Sequence, residues 1–218
     1  MTKPPNVNQA RFDARAAEWD ANPARVALAR DVVTAVCASV PLRPDMRVMD
    51  FGAGTGLVSL GLLPFVRSVT AADTSGEMLR VLADKARGLG AASLTTLQCD
   101  IADASLPPAA FDLIVSSMTL HHLPDLPAVL RRLRPALRDG GWIALADLAA
   151  EDGSFHADKT GVYHNGFDPA AVGRWLTSCG FAHISAREAH RLTRPGADGV
   201  IRTYPVFLVV AGCQPHWT

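Results

Sequence analysis

Three aspartates and a glycine turn carry the densest chemical signal in this 218-residue chain. The run Asp50-Phe51-Gly52-Ala53-Gly54-Thr55-Gly56 follows a strand-like Met46-Arg47-Val48-Met49 and precedes an apolar run, Leu57 to Leu63. Glycines at alternate positions let the backbone turn sharply and approach a ligand closely, because none carries a Cβ. A strand, a glycine turn and a helix N-terminus together dock a nucleotide-sized ligand. Dinucleotide folds space their glycines G-x-G-x-x-G. Here the third comes one residue early, at Gly56, and Leu57 holds the expected place.

Asp73 stands 21 residues after Gly52, at the end of a second strand-like run. A carboxylate there can accept both hydroxyl protons of a ribose; capping the helix that starts near Ser75 is its other use. Asp100 closes a third run, where it can accept from the exocyclic amine of adenine while Ile101 covers the ring. His121 and His122 follow a fourth strand and can take protons near neutrality. The long polar stretch 150–168 holds His156, Tyr163 and His164. Loops of this length are often lids or substrate loops. The histidine spacings include no H-x-x-x-H or H-E-x-x-H, so no metal site is expected.

These residues need elements to position them. Residues 9–21 have helical character, with Phe12, Ala16 and Trp19 on one face. Pro23 opens a second helix through about Cys37, and Val40-Pro41-Leu42-Arg43-Pro44 breaks it. Strands over 46–51, 68–72, 94–99, 111–116 and 142–146 then alternate with helices over 57–63, 75–88, 126–137 and 169–179. The 126–137 helix closes at Asp139-Gly140-Gly141. Two further strands, 182–188 and 203–211, are joined by the turn-like Thr193-Arg194-Pro195-Gly196. Such alternation implies an α/β fold: a mostly parallel sheet with helices on both faces and an antiparallel edge hairpin. Ligands then bind beyond the strand carboxyl ends, which places Asp50, Asp73, Asp100, Ser116, Ser117 and Asp147 around one crevice.

Composition sets the outer bounds. Hydrophobic residues make up 49% and charged residues 19%, as in one globular domain. Lys plus Arg equals Asp plus Glu at 21 each, so no net field favours nucleic acid or an anionic membrane. No apolar run reaches membrane-spanning length. Residues 1–10 are polar and proline-bearing, without an apolar signal core. Cys37, Cys99, Cys179 and Cys213 lie far apart with no C-x-x-C pair. Reduced thiols in a cytoplasmic setting are expected.

Taken in order, these motifs resemble the class I S-adenosylmethionine-dependent methyltransferases, in particular small-molecule enzymes related to the quinone C-methyltransferases. VMDFGAGTG resembles the family's first motif, VTAADTSGEML the second, LQCDIAD the third and FDLIVSSMTLHHLPD the fourth. LRDGGWIALAD is similar to its LRPGG-then-strand segment. FDARAAEWD resembles the subgroup's F-D-x-x-A-x-x-Y-D helix, with Trp19 in place of tyrosine. The likeness spans about Phe12 to Val210. Two departures narrow it. Ser116-Ser117-Met118-Thr119 stands where DNA-base amino-methyltransferases carry N/D-P-P-Y/F, and no Asp-Asn pair follows Asp147 as in magnesium-dependent catechol enzymes.

The resemblance implies a Rossmann-like, seven-stranded, mostly parallel sheet in a single domain, with a helical cap at 1–43 and a core at 44–218 carrying an active-site loop at 150–168. It implies an S-adenosylmethionine site from Trp19, Asp50, Gly52, Ala53, Gly54, Gly56, Asp73, Thr74, Met78, Asp100, Ile101 and Ser116. His121, His122 and His164 become candidate catalytic groups, and Phe12, Met118, His156 and Tyr163 candidate substrate contacts. The expected partner is a small molecule, and the apolar, aromatic-capped entrance favours a neutral or thiol-bearing one. Two other readings stay open: a cofactor-binding module without catalysis, and a nicotinamide-dependent oxidoreductase, which the early third glycine and Asp100 disfavour.

Overall fold

The computed structural model describes residues 7–213; most of the polar opening stretch, residues 1–6, lies outside the described residues. The chain starts with α1 (Val7–Asp13), a 3₁₀ turn over Ala16–Ala21 and α2 (Pro23–Ser39). Then come β1 (Arg47–Phe51), α3 (Leu57–Leu62), β2 (Ser68–Asp73), α4 (Gly76–Gly88), β3 (Leu94–Gln98) and β4 (Phe111–Ser117). After a 3₁₀ turn over Leu120–His122 follow α5 (Leu126–Leu133), β5 (Leu137–Leu148), α6 (Pro169–Ser178), β6 (Phe181–Pro195) and β7 (Ile201–Cys213).

The seven strands form one sheet in the order β3-β2-β1-β4-β5-β7-β6. β1 to β5 run parallel, and β7 inserts antiparallel between β5 and the edge strand β6. The central strands are apolar on both faces because helices cover both. Met49, Phe51, Ile114, Ile143 and Leu145 pack toward α5 and α6. Their neighbours Val48, Leu113, Val115, Ala144 and Ala146 pack toward α2 and α3. This period-two alternation also fixes which polar residues at the strand ends face the crevice. No described helix is long and apolar enough to cross a membrane.

Three boundaries differ from the sequence expectation. The helix at 9–21 is broken after Asp13, whose side chain turns to Ser75 Oγ at 2.5 Å. The helix expected over 126–137 stops at Leu133 with a 3₁₀ turn, and Asp139-Gly140-Gly141 belongs to β5. Pro135 lacks the N–H that a continuing helix needs. The hairpin strands are also longer than expected. Thr193, Arg194 and Pro195 pair with Thr203, Arg202 and Ile201, and the turn spans Gly196 to Val200. Proline is tolerated there because β6 is an edge strand.

Candidate active site

The carboxyl ends of β1 to β4 open into one cavity of about 740 Å³, a size that suits a small-molecule site. At its floor, Asp73 Oδ2 accepts from Gly54 N at 2.8 Å and Oδ1 from Ser75 N at 2.9 Å. Capping of α4 falls instead to Ser75, whose Oγ accepts from Met78 N. Each Asp73 oxygen keeps a second lone pair for a ligand hydroxyl. Burial raises the Asp73 carboxyl above its ordinary range, against its backbone hydrogen bonds. Asp50 is deeper: burial pushes it up to about 7, against the hydrogen bond from Ser59 Oγ at 2.6 Å and with Asp73 adding repulsion. A cationic ligand group is the partner that would favour ionisation of both. Asp100 and Ile101 line the same floor with Ala53, Thr74 and Met78.

Two glycines show what the turn requires. Gly52 has φ +69°, and a Cβ there would lie 2.1 Å from Thr119 Oγ1. Gly56 has φ +79°, and its Cβ would lie 2.1 Å from Leu82 Cδ1 on α4. Gly52 lines the cavity and Gly56 does not. The third glycine is therefore spaced for helix packing, and its expected cofactor contact is corrected. Ser116 is likewise turned away: buried, it donates from Oγ to Phe51 O at 2.9 Å, while Ser117 lines the cavity. One step along a strand reverses the face.

The wall opposite the aspartates is built from separate segments. Phe12 and Trp19 meet edge to face at 5.7 Å, and Phe12 meets the His122 ring at 5.3 Å. Both aromatics line the cavity. The cap is pinned to the core by Asp20, which accepts from Thr55 Oγ1 and Lys85 Nζ, each at 2.6 Å. It is pinned to the 150–168 loop by Asn8 Nδ2, which donates to Gly161 O at 3.0 Å, and by Arg11 Nη1, which donates to Thr160 O at 3.0 Å.

Three histidine rings gather beneath this cap. His121 lies 4.2 Å from His122 and 4.9 Å from His156, centroid to centroid. His121 Nδ1 is 2.7 Å from Asp147 Oδ1, and both residues are buried. The Asp147 carboxylate also accepts from the backbone N–H of His121 and of Leu148. Asp147 was expected on the crevice surface; it lies behind it and orients the ring. With Nδ1–H committed, the acceptor nitrogen of His121 is Nε2. His122 Nδ1 faces Gly161 O at 2.8 Å and must donate, because a carbonyl can only accept. Burial and the neighbouring His121 hold His122 down at about 4 and, with His122, hold His156 down at about 3. Among the described residues no histidine, cysteine and carboxylate group is arranged to hold a metal.

His164 and Tyr163 are not brought into the cavity. His164 Nε2 binds Leu123 O at 3.0 Å, and its ring packs on Phe167 at 4.9 Å. Tyr163 is exposed, and its backbone N–H donates to His121 O. Both anchor the loop, a structural use in place of the expected catalytic and substrate roles. Met118 also lines the cavity. Sequence reasoning missed Arg11, Arg15, Arg25, Thr119 and Arg194, which also line it. Arginine on a helix or an edge strand usually marks a solvated face, so nothing local distinguishes these.

A parallel sheet with an antiparallel penultimate strand, a glycine turn after β1 and acids at or just past the carboxyl ends of β1, β2 and β3 define a nucleoside-binding Rossmann-like domain. The donor set fits the chemistry of S-adenosylmethionine: the Asp50 and Asp73 carboxylates can accept from hydroxyl and ammonium groups, and Ile101 adds an apolar side chain to the same cavity. Comparison with known proteins agrees. A family described as a methyltransferase domain matches residues 49–145. A trans-aconitate 2-methyltransferase of Deinococcus radiodurans is 32% identical over 200 residues, covering 82% of this chain and 73% of that protein. A malonyl-[acyl-carrier protein] O-methyltransferase of Serratia marcescens is 33% identical over 198 residues, covering 88% and 74%. The DhpI–SAH complex superposes with a TM-score of 0.73 at 23% identity, covering 99% of this chain and 100% of that one. Other curated relatives are matched over about half their length, 51% and 53% in two cases. The chain belongs to the class I S-adenosylmethionine-dependent methyltransferases.

Proposed function

We propose that this chain transfers a methyl group from S-adenosylmethionine to a small-molecule nucleophile, with His121 as proton acceptor. The observation that carries the reading is one cavity with aspartates on one wall and His121, held from behind by Asp147, on the other. Asp73 would hold the ribose, Asp100 and Ile101 the adenine, and Asp50 with the Gly52–Gly54 turn the amino acid end. The bound cofactor supplies a methyl group already activated on a sulfonium. The protein therefore orients the acceptor and excludes water. His121 Nε2 takes the proton that the nucleophile loses, and Asp147 holds the ring and stabilises the imidazolium. His122 and His156 stay neutral over the working range, so they shape the wall.

Residues 1–43 would act as a cap and 150–168 as the acceptor loop of the same domain, which the Asn8–Gly161 and Arg11–Thr160 hydrogen bonds support. The name of the Deinococcus radiodurans relative supports a metabolite-sized acceptor, and the formal net charge of zero supports this over nucleic acid. Four free cysteines support a cytoplasmic setting. The test is transfer of radiolabelled methyl to a metabolite panel. The proposal expects a labelled product and its loss in His121→Asn with cofactor affinity kept. Folded protein that binds cofactor tightly but labels nothing would mark a module without catalysis.

A further inference from the structure

We propose that the cavity selects an acceptor carrying an oxyanion handle, a carboxylate or a phosphate-type group, held by Arg15, Arg25 and Arg194. The proposal rests on the methyl-transfer reading above. These arginines come from the link after α1, the first turn of α2 and the end of β6, yet all three line one cavity. None makes an ion pair with a described carboxylate. Several arginines elsewhere in the fold are paired, among them Arg30 with Asp31, Arg138 with Asp112, Arg191 with Glu188 and Arg202 with Asp198. Arg11, beside the three, is occupied by Asp158 at 3.6 Å.

Two of the three guanidinium groups are held by aromatic faces. Arg25 stacks over Trp19 at 3.8 Å and donates from Nη1 to Trp19 O at 3.1 Å. Arg194 lies over Phe155 at 4.9 Å. A guanidinium stacked on a ring keeps its N–H edge for a planar oxyanion. Burial, then Arg15 and Arg194, lower the proton affinity of Arg25, with Asp20 opposing them. The three charges thus repel one another, although Asp20 and Asp158 offset part of that repulsion. A bound anion relieves that repulsion. The cofactor carries one carboxylate beside two cationic centres and so accounts for one guanidinium at most. Two remain for the acceptor.

The path to the proton acceptor is continuous. The Phe155 ring meets His156 at 4.8 Å, and His156 meets His121 at 4.9 Å. These contacts form a continuous run of side chains from Arg194 through Phe155 and His156 to His121, so the arginines and the proton acceptor belong to one cavity. An oxyanion-bearing acceptor replaces the neutral one expected from the aromatic entrance.

The test titrates protein saturated with S-adenosylhomocysteine against succinate and phenylphosphonate and against their neutral methyl esters, by calorimetry. The expected result is binding of an anion in preference to its ester, weakened by added salt. The Arg15→Gln/Arg194→Gln double variant should lose about tenfold or more in anion affinity. Its affinity for S-adenosylhomocysteine should stay within about twofold. Equal binding of esters and anions, or binding of neither, overturns the proposal. A parallel loss of S-adenosylhomocysteine affinity in the double variant also overturns it, because the arginines would then serve the cofactor. Failure of S-adenosylhomocysteine to bind the intact folded chain is a different result, and it removes the methyl-transfer reading beneath.

Discussion

The two walls of the cavity are built in opposite ways. The aspartate wall comes from the ends of β1, β2 and β3: Asp50 and Asp73 sit in the β-ladder, Asp100 follows two residues beyond β3, and backbone N–H groups tie Asp73 and Asp100. The histidine and arginine wall is assembled from α1, α2, the turn after β4, the 150–168 loop and the end of β6. Side chains fasten it: Asp13 to Ser75, Asp20 to Thr55 and Lys85, Asn8 and His122 to Gly161. The first wall is preorganised by the fold itself. The second depends on contacts between segments far apart in the chain, so it can be remodelled without touching the sheet. Cofactor binding is thereby separable from acceptor choice, as expected where function is carried by sites grafted on a common fold.

The sharpest way to break that contrast is at Asp147. Asp147→Asn removes the acceptor that fixes the His121 tautomer, and turnover with any methylated acceptor should fall about 10²–10⁴-fold. S-adenosylhomocysteine affinity, read by calorimetry, should stay within about threefold. A parallel loss of both would make the pair structural. On the other wall, Asp73→Asn should weaken S-adenosylhomocysteine about 10–100-fold, the effect of a charged hydrogen-bond acceptor. Unchanged affinity would remove Asp73 from the ribose site.

Gly56→Ala should destabilise the fold by about 1–3 kcal/mol through its left-handed backbone and the clash with Leu82. Denaturant unfolding measures the loss, and cofactor affinity per folded molecule should not change. A selective affinity loss would return Gly56 to the cofactor site.

The smallest effect is in pH. His122 and His156 titrate near 4 and 3 in the fold, below the ordinary value of 6.5. The unfolded chain therefore takes up their protons first, and their contribution to stability is lost as pH falls from about 6.5 toward 4. Asp50 has the opposite sign. Raised from 3.8 to about 7, it favours the fold at low pH, and that contribution is lost as pH rises toward 7. Relative to the parent protein, Tm of His122→Asn/His156→Asn should improve on acidification by a few degrees. Relative to the parent, Tm of Asp50→Asn should improve as pH rises from about 4 to about 7 and then level off. Differences independent of pH would contradict both assignments.

Legibility in the sequence followed the same division. The order of strands and helices, the edge hairpin and the strand-end acids were readable because each depends on local pattern and strand alternation. Ser116 and Gly56 went wrong by one residue of face or phase, which period-two geometry decides and a motif does not. Arg15, Arg25 and Arg194 were invisible because only the tertiary approach of α2 and β6 makes them neighbours. His164 and Tyr163 had suggestive chemistry, but the loop turns them toward Leu123 and solvent. Asp147 was found, yet its role required the distance to His121.

The most direct test of the two-wall account is a crystal structure with S-adenosylhomocysteine. It should show ribose hydroxyls within hydrogen-bond reach of Asp73, adenine at Asp100 and Ile101, and the thioether sulfur turned toward the space bounded by His121 and the arginines. A nucleoside lying along Arg25, Phe155 and Arg194, with the sulfur directed away from His121, would contradict it.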